Sequence, residues 1–110
     1  MGATISPLAD RFIEVVNGGD TGAFLAMFSG NGNGYVDDWG RAFVGTAAIE
    51  RWSDAEFIGA RGRMTDIRVT DDDGSVAVVA QWTSERHTGP SRFVLRPDGD
   101  LLASLTITAA

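Results

Sequence analysis

Cysteine and lysine are both absent from the 110-residue sequence. Without cysteine, the chain can form no disulfide, no thiol nucleophile and no cysteine-ligated metal site. Without lysine, it has no Schiff-base residue and no lysine for a phosphate-binding loop. A chain free of cysteine suits a reducing compartment, so we predict a cytoplasmic location.

Long apolar runs and positive charge are also scarce. No run approaches the ~20 apolar residues that span a bilayer, and the N-terminus lacks the charged-then-apolar pattern of a signal peptide. Fifteen acidic residues against nine basic ones, all of them arginine, give a net charge of −6. That charge would repel a nucleic-acid backbone. We therefore predict neither a membrane partner nor a nucleic-acid partner.

The length and the 44% hydrophobic content suit a single domain over residues 1–110. A chain of this size buries only roughly 60–65% of its unfolded surface, and pairing with a second copy would bury more. The last predicted strand offers an apolar face for this purpose, made of Leu101, Ala103, Leu105 and Ile107. We therefore predict a homodimer.

Helix signals mark the first half of the chain. Ser6 followed by Pro7 is typical of an N-cap and a first helical residue, and residues 17–19, Asn-Gly-Gly, should end this helix. Asp20 can cap a second, short helix, and Thr46 can cap a third. The sequence thus predicts three helices before the main run of strands.

Alternating apolar and polar residues predict the strands. A short hairpin with a turn at Gly40 and Arg41 precedes the third helix, and four longer strands follow it. The strands are predicted near Tyr35–Trp39, Ala42–Val44, Arg63–Thr70, Ser75–Glu85, Ser91–Arg96 and Asp100–Thr108. This order of elements favours an α+β fold in which the last four strands form an antiparallel meander.

Two motifs in the loops between predicted elements resemble ligand-binding motifs but are better interpreted as turns. The glycine-rich run Gly30–Gly34 follows a helix and opens none, so it does not predict a nucleotide-binding loop. The acidic run Asp71–Gly74 lacks the spaced ligands and the final glutamate of a calcium loop. A metal site made from His87 with Asp37 or Asp38 would need ligands from distant segments. We predict no metal and no cofactor.

Four segments together resemble the nuclear transport factor 2-like superfamily, and most closely its ketosteroid isomerase and SnoaL-like polyketide cyclase branch. They are Phe12–Asp20, Met27–Phe28, Val36–Asp38 and Gly45–Ile49. The resemblance implies a cone-shaped α+β fold, in which three N-terminal helices pack on a strongly curved, mostly antiparallel sheet. It also implies an apolar interior, frequent homodimers through the outer face of the sheet, and the mixed face of the last strand turned inward.

Asp38 is the position that the resemblance makes most interesting, because it matches the general base of the isomerases in this family. A carboxylate in an apolar pocket has its charged form disfavoured, so it can exchange a proton near neutral pH. Asp37 should face the other side of the strand. On the residues alone, both aspartates could equally be solvated residues at a strand end.

The resemblance fails at the two groups that hold the enolate in those isomerases, a tyrosine hydroxyl and a protonated aspartic acid. Phe12 and Ser91 stand at the corresponding positions. Phenylalanine has no donor and a serine hydroxyl is a weaker one, so we expect poor steroid isomerisation.

The remaining candidates are aromatic or charged. Five residues could line the cavity and bind an apolar ligand, or simply fill the core: Phe12, Phe28, Trp39, Trp52 and Phe93. Gln81 and Trp82 lie on opposite faces of one strand, and periodicity does not say which faces the pocket. His87 is predicted to be an exposed loop residue. Arg41, Arg61 and Arg63 could bind a carboxylate at the mouth of the cone, but are predicted to be surface charges.

Two functions are consistent with these features. The first is an isomerase, cyclase or dehydratase that acts on an apolar carbonyl compound with Asp38 as acid and base. The second is a noncatalytic ligand-binding or dimerisation module that keeps the cone without the chemistry.

Overall fold

The computed structural model describes residues 6–28, 34–72 and 74–110. Three helices and six strands make up these segments. In chain order they are α1 (Pro7–Gly18), α2 (Thr21–Ala26), β1 (Tyr35–Asp38), β2 (Arg41–Val44), α3 (Thr46–Glu56), β3 (Arg63–Asp72), β4 (Ser75–Thr83), β5 (Thr88–Asp98) and β6 (Leu101–Ala109). No helix within these segments is long and apolar enough to cross a membrane.

Local capping explains where the first two helices begin. The Ser6 hydroxyl accepts a hydrogen bond from the Ala9 amide at 3.1 Å, and α1 ends where Gly19 adopts a left-handed conformation. The Asp20 carboxylate caps α2 in the same way, by accepting from the Ala23 amide. The prediction that Thr46 caps α3 is wrong, because Gly45 holds the cap position with no side-chain hydrogen bond and Thr46 is the first helical residue.

The strands form one sheet in the order β2-β1-β6-β5-β4-β3. The antiparallel meander of β3 to β6 is confirmed. The hairpin of β1 and β2 joins its far side through a parallel pairing of β1 with β6, which sets Asp38 opposite Ile107. The α+β class and the mostly antiparallel, curved sheet are therefore as predicted.

Several boundaries differ from the sequence prediction. Strand β5 begins at Thr88 rather than Ser91, and β4 ends at Thr83 rather than Glu85, so the loop between them is shorter and lies earlier. The turn of the first hairpin is Trp39-Gly40, one residue earlier than predicted. Asp73 and residues 29–33 lie outside the described residues, so the interpretation of the acidic and glycine-rich runs as turns stays a prediction.

The faces of β6 correct a second prediction. Leu105 and Ile107 are buried, whereas Ser104 and Thr106 alternate with them on the outer side. The mixed face is therefore not turned inward as the resemblance implied. Leu102 is also buried, because a register shift after Arg96 leaves an extra residue in β6 and changes the alternation there.

An aromatic core lies between the helices and the inner face of the sheet. Phe57, which follows α3, is at its centre and lies within 6.4 Å, centroid to centroid, of each of five other rings. These rings belong to Phe12, Phe24, Trp52, Trp82 and Phe93. The segment after α3 thus joins α1, α2, α3 and the central strands into one core.

Candidate functional site

A cavity of about 390 Å³ opens at the end of the cone where the β1–β2 turn meets the loop between β4 and β5. This volume lies within the range that small-molecule sites occupy. Its wall is mostly aromatic, and its rim is polar and charged. The aromatic residues are Trp39, Trp52, Phe57, Trp82 and Phe93; the others are Asp38, Arg41, Glu56, Arg86, His87, Ser91 and Ile107.

Asp38 borders this cavity at the end of β1, with its side chain 16% exposed. One oxygen, Oδ2, accepts two hydrogen bonds, from the Trp52 indole N–H and from the Arg41 guanidinium, both at 2.9 Å. Asp37 faces the other side, as the alternation predicts, and its carboxylate accepts from the Gly40 amide at 2.8 Å. Asp38 is therefore held by two donors rather than surrounded by apolar atoms alone.

Arg41 is held in turn by Glu56, the last residue of α3. The two side chains make a bidentate ion pair with N–O distances of 2.7 and 3.0 Å, and the guanidinium also lies over the Phe43 ring. This hydrogen-bonded pairing lowers the pKa of Glu56 and raises that of Arg41. The ion pair's contribution to stability is therefore present above the ordinary glutamate pKa and is lost as the pH falls through the lowered one.

The sequence analysis missed Glu56 and treated Arg41 as a surface charge. A signal for Arg41 was present, because a two-residue hairpin turn sets Asp38 directly opposite Arg41. No comparable signal existed for Glu56, which reaches this site only through the packing of α3 on β2. The prediction for Arg61 and Arg63 agrees with the structure, in which both are exposed. Arg61 Nε lies 3.8 Å from Glu85 Oε2.

Trp39 stands at the rim in an unusual backbone conformation. Its φ is 56° and that of Gly40 is 86°, so both central residues of the turn are left-handed, as in a type I′ hairpin. This conformation costs a non-glycine residue about 1–2 kcal/mol. The side chain is 55% exposed, and its ring packs edge to face with the His87 ring, with 6.1 Å between the ring centroids. A strained and exposed tryptophan therefore stands at the mouth of the cavity.

The inner aromatic residues form a stack. Trp52 lies between Phe43 and Phe57, and Phe57 lies between Trp52 and Trp82, with centroid distances of 4.7 to 5.8 Å and interplanar angles of 15° to 30°. Because both faces of Trp52 and Phe57 are covered by other rings, these two residues present mainly ring edges to the cavity.

The structure brings five of the predicted site residues together at the cavity: Asp38, Trp39, Trp52, Ser91 and Phe93. Phe12 and Phe28 do not line it, which corrects their predicted placement. Phe12 is fully buried behind Phe57 and Phe93, which separate it from the cavity. Phe28 packs edge-on against Phe24 in the core.

Two positions that the sequence left open are now placed. Trp82 lines the cavity, so Gln81 on the same strand faces away from it. His87 is exposed, as predicted, and also borders the cavity. Among the residues with described positions, no group of three or more histidine, aspartate or glutamate side chains is arranged to hold a metal ion.

The helices, the strand order and the cavity together define a cone of the nuclear transport factor 2-like kind. Many solved structures share this fold. A candidate polyketide cyclase from Sinorhizobium meliloti superposes with a TM-score of 0.81 at 20% identity, over 94% of this chain and 95% of that one. A nuclear transport factor 2-like protein from Cytophaga hutchinsonii gives 0.76 at 13% identity, over 98% and 93%.

A third neighbour, from Catenulispora acidiphila, has a ketosteroid isomerase-like fold and is in complex with trimethylamine. It gives a TM-score of 0.76 at 17% identity, over 96% of this chain and 87% of that one. No protein-family model matches the sequence, and no curated protein sequence is similar to it. These neighbours confirm the fold that the resemblance implied.

Proposed function

We propose that the protein binds a small apolar compound in this cavity and that Asp38 exchanges a proton with it. The observation that carries this proposal is the Asp38 carboxylate, held by Trp52 and Arg41 at the border of an aromatic-lined cavity of about 390 Å³. A ligand's apolar body would gain from burial against the rings, and its reacting group would lie beside Asp38. We propose a cytoplasmic location, because a chain without cysteine suits a reducing compartment.

The reaction that best suits such a site is isomerisation, cyclisation or dehydration of an apolar carbonyl compound. The polyketide cyclase-like and ketosteroid isomerase-like neighbours support this class by analogy of fold. Phe12 and Ser91 stand at the positions of the two enolate-holding donors of the isomerases. Phe12 lies behind other rings, so only Ser91 borders the cavity. Steroid isomerisation is therefore expected to be weak, and a noncatalytic ligand-binding module is the alternative.

Ligand binding should quench the intrinsic fluorescence strongly, because all three tryptophans of the chain line the cavity. We expect uncharged aromatic ketones and hydroxyaromatics to quench the emission and to raise the melting temperature, since they bind only the folded state. The measurement is a fluorescence titration with parallel thermal denaturation.

Ser91→Leu, which places a larger side chain at the cavity wall, should remove both effects. Val94→Leu is the matched control, because Val94 lies on the same strand and faces the outer side of the sheet. If no compound in such a set raises the melting temperature, or if Ser91→Leu responds like the wild type, the cavity is not a binding site.

We also propose a homodimer, but not through the face predicted from the sequence, because Leu105 and Ile107 are buried within the chain. The outer face of the central strands is the better candidate. Its middle carries two half-buried apolar side chains, Val79 and Val94, beside the fully buried Ala77. Sedimentation equilibrium should report twice the chain mass, and Val94→Arg should halve it, whereas Ala47→Arg on the exposed side of α3 should not. A wild-type monomer at micromolar concentration would contradict this proposal.

A further inference from the structure

The hydrogen-bonding capacity left over at the cavity points to the polar group that the ligand carries. Asp38 Oδ2 is already used by Trp52 and Arg41, whereas Oδ1 has no hydrogen-bond partner in the described part of the chain. A carboxylate paired with a guanidinium is ionised, and an ionised carboxylate only accepts hydrogen bonds. Asp38 therefore offers the ligand one free, negatively charged acceptor.

Ser91 offers an acceptor as well. Its hydroxyl donates to the Gly89 carbonyl at 3.2 Å, so its proton is used within β5 and its oxygen is what remains for a ligand. This side chain is 1% exposed and borders the cavity. Two strands, β1 and β5, thus each contribute an oxygen acceptor to the wall.

A ligand carbonyl would be the wrong partner for these oxygens. The Trp82 indole carries a neutral N–H group that a carbonyl could accept from, while Arg86 and His87 are exposed and can stay hydrated. A ligand that displaces water from Asp38 without bringing a donor leaves a charged oxygen unsatisfied. That loss is larger than the loss from an unmet neutral donor, because hydrogen bonds to charged groups are worth roughly twice those between neutral groups. The balance favours a ligand with a donor directed at Asp38.

A cationic donor is also disfavoured. Asp38 and Glu56 carry two negative charges at the cavity, and Arg41 and Arg86 balance them with two positive charges. The faces of Trp52 and Phe57 that would attract a cation are covered by other rings. An ammonium group would therefore lose its hydration without an unmatched carboxylate to replace it.

We infer that the ligand is an uncharged, largely apolar molecule that carries a hydroxyl or N–H group, and that this group donates to Asp38 Oδ1. The inference rests on the proposed function and names its ligand class. It selects apolar compounds that carry such a donor, hydroxylated carbonyl compounds included, over plain ketones, ethers and amines. The same hydrogen bond would place an acidic ligand proton beside the carboxylate that is proposed to accept it.

Four matched naphthalene probes test this inference at neutral pH, where naphthol is un-ionised. They are naphthol, its methyl ether, methyl naphthyl ketone and naphthylmethylammonium. We expect naphthol to bind about tenfold more tightly than the ether or the ketone, and the ammonium to bind most weakly, by tryptophan quenching and calorimetry. Equal or tighter binding of the ether, ketone or ammonium would overturn the inference alone. If none of the four binds, the proposed function fails as well.

Asp38→Asn should reverse the preference rather than simply weaken it. Trp52 and Arg41 both need an oxygen acceptor, so they would hold the amide oxygen and leave the amide NH₂ at the cavity. The ketone should then bind more tightly than naphthol, with naphthol losing about tenfold. Asp37→Asn is the matched control, because Asp37 faces away, and it should keep the wild-type order. An equal loss for all probes in a folded Asp38→Asn variant would show that Asp38 has only a structural role.

Discussion

Replacing Phe57 by alanine is expected to lower the free energy of unfolding by about 3–5 kcal/mol. Phe57 is 2% exposed and contacts rings from α1, α2, α3, β4 and β5, so its removal leaves a void that no single neighbour can fill. Chemical denaturation monitored by far-UV circular dichroism would measure the change.

Two further variants show whether the loss of stability comes from the lost volume and from the central position of Phe57. Phe57→Leu should cost less than Phe57→Ala, because it keeps most of the volume. Phe43→Ala removes a ring that is only partly buried and stacks on one side of Trp52, so it should also cost less. If Phe43→Ala destabilises the protein as much as Phe57→Ala, Phe57 is not the centre of the core.

Gly62→Ala should both destabilise the fold and disturb the cavity. A Cβ atom at this position would overlap Cη2 and Cζ2 of the Trp82 indole, far inside van der Waals contact. The indole is rigid and lines the cavity, so it would have to move. Overpacking of this kind typically costs about 1–3 kcal/mol. Gly18→Ala is the control, since nothing lies within 4 Å of its added Cβ, and it should be close to neutral.

The double variant Gly62→Ala with Trp82→Phe identifies the cause of that loss. Phenylalanine lacks the two indole atoms that the new methyl group would meet, so the combined cost should be smaller than the sum of the two single costs. Probe binding by Gly62→Ala should fall together with its stability. Additive costs would mean that the clash with Trp82 is not what destabilises the single variant.

Much of the fold could be predicted because its signals are local. Ser6 and Asp20 are caps, and the alternation of β3 to β6 needs no distant information. The parallel pairing of β1 with β6 and the bulge after Arg96 depend on contacts that no local pattern records. The bulge explains only why Leu102 is buried together with Leu105 and Ile107. The prediction that the mixed face of β6 points inward came from the resemblance, and the burial of Leu105 and Ile107 contradicts it.

The candidate site was predictable in part for the same reason. Asp38 emerged from its place on a strand end and from the resemblance, whereas Glu56 reaches Arg41 from another element. Phe12 was expected at the cavity, but Phe57, which follows the last residue of α3, covers it. Which ring lies in front of another is decided by packing, and sequence spacing does not carry that information.

The measurement that tests the account most directly is a crystal structure of the protein grown with naphthol. We expect the ring system to lie in the cavity against Trp82 and Phe93, with the hydroxyl within hydrogen-bond distance of Asp38 Oδ1 and with the Arg41 and Trp52 contacts to Oδ2 retained. A cavity closed by its own side chains, or naphthol bound only elsewhere on the protein, would contradict the proposal that this cavity is the functional site.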